Sequence, residues 1–149
     1  MKFSKMSNSQ DALVVRTDYS DEKTWSELCL AIERSSERLV KYSEGLENYQ
    51  DYIEYFEDPE LNNLSVEQVL SLLPELVYRG EIFIVDRESL SHPDRPILVV
   101  DVYDKPGRTF RVVPNQMWSV DANLGIANMD FEEFAESVDE DGIFRGFEE

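Results

Sequence analysis

Asp18 and Asp86 each follow a short apolar run, and each lies within two residues of an arginine, Arg16 or Arg87. Carboxylates at the ends of sheet strands can hold Mg²⁺ while a neighbouring guanidinium meets a phosphate. The pattern would therefore support a small metal-dependent enzyme acting on a phosphate-containing substrate, with Asp104 as a further polar member. The same residues fit a plainer role, in which Asp18 bonds local backbone N–H groups and Asp86-Arg87 opens a solvated loop. Ser137, Asp139, Asp141, Gly142 and Glu148 have the spacing of an EF-hand loop, whose oxygens converge on calcium. A serine at the first ligand position and the lack of a second such loop in the sequence make chance spacing in an acidic tail the competing reading. His92 is the only histidine, with the one side chain whose unperturbed pKa suits a general base near neutral pH, but Ser91-His92-Pro93-Asp94 has the chemistry of a turn. Cys29, the only cysteine, shares a helical apolar face with Trp25 and Ile32, where a thiol acts as a small buried hydrophobe rather than a nucleophile. The sequence predicts no catalytic residue and no cofactor, since it has no Gly-rich phosphate loop, no His-x-x-x-His pair and no Gly-x-Ser-x-Gly elbow.

Charge is segregated along the 149 residues. Of the formal net charge of −18, the stretch from Tyr42 to Tyr78 contributes nine acids and no base, and Asp130 to Glu149 contributes nine acids against Arg145 alone. Such blocks govern steering and partner choice rather than fold, and they exclude direct nucleic-acid binding, because no basic patch offsets them near a phosphate backbone. An apolar content of 42% with 11% aromatic is too rich for a disordered acidic tail. A single cysteine permits no intramolecular disulfide and fits a reducing, cytoplasmic compartment. Residues 1–11 read as a flexible tail without the apolar run of roughly 7 to 15 residues that a signal peptide needs, and no later stretch reads as a membrane span.

The elements that must position these residues alternate in type. Ala12–Thr17, Ile82–Val85 and Ile97–Val100 are apolar runs of buried-strand length, and Tyr49–Glu57 is an aromatic strand stopped by Asp58-Pro59. Asp104-Lys105-Pro106-Gly107-Arg108 predicts a hairpin turn into a strand over Thr109–Val113, and Glu44–Asn48 reads as loop. A first helix is capped by Ser20 and buries Trp25, Leu28, Cys29 and Ile32 at i, i+3, i+4 and i+7. A second opens at Ser65 with Gln68 in capping-box spacing and closes at Pro74, and two more run over 115–126 and 131–138. The prediction is one α/β domain over residues 12–149, a mixed sheet of about five strands covered by helices, in the order βαβαβββαα.

Val15-Arg16-Thr17-Asp18-Tyr19-Ser20-Asp21 with Trp25, Phe110-Arg111-Val112-Val113-Pro114, Met117-Trp118-Ser119-Val120, the stretch from Asn123 to Phe134, and Asp141-Gly142-Ile143-Phe144-Arg145-Gly146-Phe147 together carry a resemblance. Over residues 12 to 147 the chain resembles a family of small acidic bacterial proteins described as a domain of unknown function. The resemblance implies a cytoplasmic bacterial setting and supplies no catalytic residues. The charge pattern then predicts a protein-binding module, inhibitor- or immunity-like, that docks a basic protein partner through Glu54, Glu57, Asp58 and Glu60, with Trp118 and Arg145 as anchors beside Arg111, Asn123 and Asn128. The rival expectation is a solvated acidic face that serves only solubility.

Overall fold

The computed structural model describes residues 11–36, 52–73, 80–125 and 129–147. The sequence-read tail up to Gln10, the loop at Glu44–Asn48, the start of the Tyr49 strand, Asn128 and Glu148 lie outside them. In chain order the elements are β1 (Ala12–Arg16), α1 (Glu22–Glu33), β2 (Ile53–Phe56), α2 (Val66–Leu72), β3 (Glu81–Val85), α3 (Arg87–Ser91), β4 (Ile97–Asp101), β5 (Thr109–Val112), α4 (Met117–Gly125), α5 (Phe131–Ala135) and β6 (Ile143–Phe144). They form a single-domain α/β fold around one mixed sheet of order β2-β1-β3-β4-β5-β6. Strands β2, β1 and β3 are parallel, β4 is antiparallel to β3 and to β5, and β6 runs parallel to β5.

Both faces of the central strands are covered, which is why those strands read as continuous apolar runs rather than alternating ones. Val14, Phe83, Val85, Ile97 and Val99 point to one layer, where Trp25, Leu28 and Ile32 of α1 and Met117 and Val120 of α4 meet them. Leu13, Val15, Ile82, Ile84, Leu98 and Val100 point to the other, under Leu61 of the Pro59–Leu61 turn and Val69 of α2. Truncating Leu28, which is 1% exposed, to Ala would cost about 3 kcal/mol through lost transfer energy and the cavity left behind. An aromatic cluster fixes the far edge, with Phe110 and Phe131 ring centroids 4.9 Å apart and Phe134 and Phe144 5.1 Å apart. It seats α5 on β5 and β6.

Several details differ from the sequence expectation, among them that the last helix, read as 131–138, ends at Ala135 with Glu136 as its C-cap. The sheet has six strands because the two residues of β6 pair with β5, a segment too short to show any period. An extra helix, α3, follows Asp86 directly, since the Asp86 side chain accepts from Ser89 N–H and the Ser89 hydroxyl bonds back to Asp86 N–H. Asp21, not Ser20, caps α1 by accepting from Thr24 N–H at 3.0 Å, while Ser20 turns back to Asp18. Helix α2 stops at Leu72, one residue before Leu73 turns extended ahead of Pro74, as the residue preceding a proline prefers.

Sheet order also separates β2, in the first acidic block, from α5, in the second. β2 is one edge of the sheet, whereas α5 packs near the opposite edge, five inter-strand steps or roughly 24 Å away. Among the described residues no helix is long and apolar enough to cross a membrane.

Candidate functional site

At the carboxyl ends of β1, β2 and β3 a buried arginine organises its neighbours. Arg16 is 2% exposed and donates from Nε to the Asp18 carbonyl at 3.0 Å, from Nη1 to Glu57 Oε1 at 2.9 Å and from Nη2 to Glu22 Oε2 at 2.9 Å. Its guanidinium carbon lies 4.3 Å from the Tyr19 ring centroid and 4.8 Å from that of Trp25, so two aromatic faces and two carboxylates share one cation. Burial opposes this charge, but the bonds to Glu22 and Glu57 outweigh it and raise the Arg16 pKa. Asp18 is also buried; its Oδ1 accepts from both the N–H and the hydroxyl of Ser20.

Asp86 is committed elsewhere. Arg111 grips it with Nη1 to Oδ1 at 2.9 Å and Nη2 to Oδ2 at 2.8 Å, and also pairs with Glu88. Burial pushes the Asp86 carboxyl up, yet the Arg111 guanidinium and the Ser89 N–H prevail and hold it below the usual carboxylate value. A metal ion at Asp86 would have to displace Arg111. Asp104, expected beside these acids, is at the opposite end of the sheet: β4 runs antiparallel to β3, so Asp101 is registered with Glu81 and the hairpin follows from there. Among the described residues no group of three or more His, Cys, Asp or Glu side chains is arranged to hold a metal ion.

The remaining sequence candidates disperse. Asp139 Oδ1 accepts from Asp141 N–H at 2.8 Å and Ile143 N–H at 3.1 Å, and its Oδ2 accepts from Arg145 Nε at 2.6 Å. The EF-hand-like spacing thus closes a turn over Gly142, whose φ of +79° suits glycine. Arg145, chiefly, keeps the Asp139 carboxyl low, and it also reaches Asp94 at 3.0 Å. His92 Nδ1 accepts from Asp94 N–H at 3.0 Å in a turn. The Cys29 thiol is pushed up to about 12 by burial and then by Glu33, so it is no thiolate nucleophile. Glu54 sits on the edge strand β2, Glu57 is held by Arg16, and Asp58 caps the turn at Pro59–Leu61 by accepting from the N–H of the exposed Glu60. Trp118 packs half-buried against the core, and its backbone N–H donates to Ser35 Oγ at 3.2 Å. Arg145 follows β6 at the other edge, so the six residues expected to meet a partner do not share one surface.

The amino end of β3 carries a cleft that sequence patterning missed. It encloses about 430 Å³ between the β4–β5 hairpin and α5. Leu124, Met129 and Phe131 supply apolar wall, Tyr103 stands 81% exposed beside it, and Glu81, Asp104, Asp130, Glu132 and Glu133 supply carboxylates. Asp101, 2% exposed, anchors the hairpin by accepting from the N–H groups of Tyr103, Asp104 and Lys105 and from Arg108 Nη2 at 3.0 Å. Burial raises its pKa, but these donors lower it further, so Asp101 stays charged. Arg108, the only basic residue lining the cleft among the described residues, is spent on Asp101 and on the Phe131 ring 4.8 Å away, and its Nε has no acceptor among them. The one sequence signal for this site was the run Asp130-Phe131-Glu132-Glu133, which reads equally as a helix cap.

No curated protein matches the chain. The family model described as a domain of unknown function (DUF6924) matches residues 11–147, and the chain belongs to that family.

Proposed function

We propose that this protein is a binding module for a basic partner protein, of the inhibitor or immunity type, and that it works in the cytoplasm, where its lone Cys29 stays reduced. The observation that carries the reading is the cleft at α5: five carboxylates around an apolar wall, two of them, Asp130 and Glu133, also capping α5, with the one arginine that lines it among the described residues already engaged. An arginine or lysine of the partner lays its aliphatic stem along Leu124, Met129 and Phe131 and leaves its charged head among Asp104, Asp130 and Glu132. Tyr103 offers a ring face to the same cation. The surrounding negative field speeds encounter and makes association salt-sensitive.

A low-salt pull-down eluted with rising salt tests this. A partner held by wild type and by an E54Q/E60Q variant, but lost from D104N/E132Q, supports docking at the cleft. Equal retention by D104N/E132Q contradicts it.

A further inference from the structure

A second cleft, of about 350 Å³, opens beyond the carboxyl ends of β1 and β3, at the other end of the sheet from the acidic one, and is lined by Asp18, Tyr19, Ser20, Asn62, Asn63 and Arg87. Asp18 is 4% exposed, and Ser20 occupies only its Oδ1; Oδ2 has no donor among the described residues. Asn62 uses its side-chain oxygen on Tyr19 N–H at 3.3 Å, which leaves its NH₂ available. Asn63 is pinned by its N–H to the Thr17 carbonyl at 2.8 Å and adopts φ +65°, a conformation asparagine tolerates better than most residues, while its amide side chain bonds nothing among the described residues. Arg87 is exposed and forms no ion pair among the described residues, in contrast to Arg16 and Arg111. A buried acceptor, two amides and a cation therefore border one space without satisfying each other.

We propose that this cleft binds a small zwitterion of the α-amino-acid class. The ammonium donates to Asp18 Oδ2 and the carboxylate accepts from Arg87, with the Asn62 and Asn63 amides bonding along the ligand. The lining carries one formal negative and one formal positive charge, so a ligand bearing both leaves neither uncompensated. A simple anion would face Asp18, and a simple cation would face Arg87.

The test is an NMR titration of the isotope-labelled full chain with each of the common α-amino acids at millimolar concentration, repeated with the N-acetyl and methyl-ester forms of the best binder. The expected result is shifts confined to the amides of Ser20, Asn62, Asn63 and Arg87, with affinity falling roughly tenfold or more for each blocked form and for R87Q. R87Q removes no hydrogen bond or ion pair among the described residues, and its spectrum away from the cleft should match that of wild type. D18N removes binding, and the blocked ligands report on Asp18 independently should that variant fold poorly. Absence of shifts at these amides with every amino acid, or blocked forms binding as well as the parent, overturns the proposal. D104N/E132Q leaves this binding unchanged, which separates it from the acidic cleft.

Discussion

At the carboxyl ends of β1 and β3, Arg16 and Arg111 each hold two carboxylates, Glu22 with Glu57 and Asp86 with Glu88, so these four acids are matched and spent on structure. At the amino end of β3, among the described residues, Arg108 alone pairs with Asp101 and Asp104, and it makes no ion pair with the carboxylates of α5. The two ends contain similar residue types, and what differs among the described residues is how many of their carboxylates a cation engages. Acid paired to a buried or half-buried guanidinium specifies the fold, whereas acid left in excess around an apolar wall is available to something else. On this view a net charge is informative only after the paired carboxylates have been set aside.

The comparison breaks most severely at Asp101. Asp101→Ala removes a buried acceptor serving three backbone N–H groups and Arg108, and should lower stability by about 4 kcal/mol in urea unfolding. Arg16→Met should cost less, about 3 kcal/mol, because Glu22 and Glu57 are well enough exposed to regain water once the guanidinium is gone. Its Tm should fall by about 6 to 12 °C, measured by calorimetry.

Asp86→Asn follows at about 2 kcal/mol at neutral pH. It should also flatten the acid limb of the stability curve. Both Asp86 and Asp101 have native pKa values below their unfolded ones, so their contribution is complete above the ordinary carboxylate range and is lost as pH falls through the native values. Chemical unfolding across acidic pH checks this, and an unchanged slope in D86N would show that the Arg111 pair is not responsible. At the other end, D104N/E132Q should stay within about 0.5 kcal/mol of wild type, since both side chains are exposed. A large loss there would mean that the cleft acids, too, are structural.

Much of the fold was legible in the sequence because burial on both faces writes itself as unbroken apolar runs, as in Leu13-Val14-Val15 and Leu98-Val99-Val100, and because Trp25, Leu28 and Ile32 keep helical spacing. The family resemblance was legible as well, chiefly from Phe110 onward. β6 was not, since two residues carry no period and its pairing depends on where Asp139 folds the chain back. Helix α3 hid because serine, not glutamate, completes its capping box at Ser89. The candidate sites were the least legible part. Asp104 was grouped with Asp18 and Asp86 because strand direction is absent from a sequence, and one antiparallel strand sends it to the opposite end. The acidic cleft draws Glu81, Tyr103 and Glu132 from three separate segments, a juxtaposition that only the sheet order creates.

The most direct test of the binding reading is to titrate a short arginine-bearing peptide into isotope-labelled protein at low salt and map the amide shifts. The account predicts shifts concentrated at Gly80, Tyr103, Asp104, Leu124 and Glu132 that weaken with added salt and vanish in D104N/E132Q. Shifts spread evenly over the β2 edge and α5 alike, or surviving in that variant, would contradict it and leave the acid as a solvated surface.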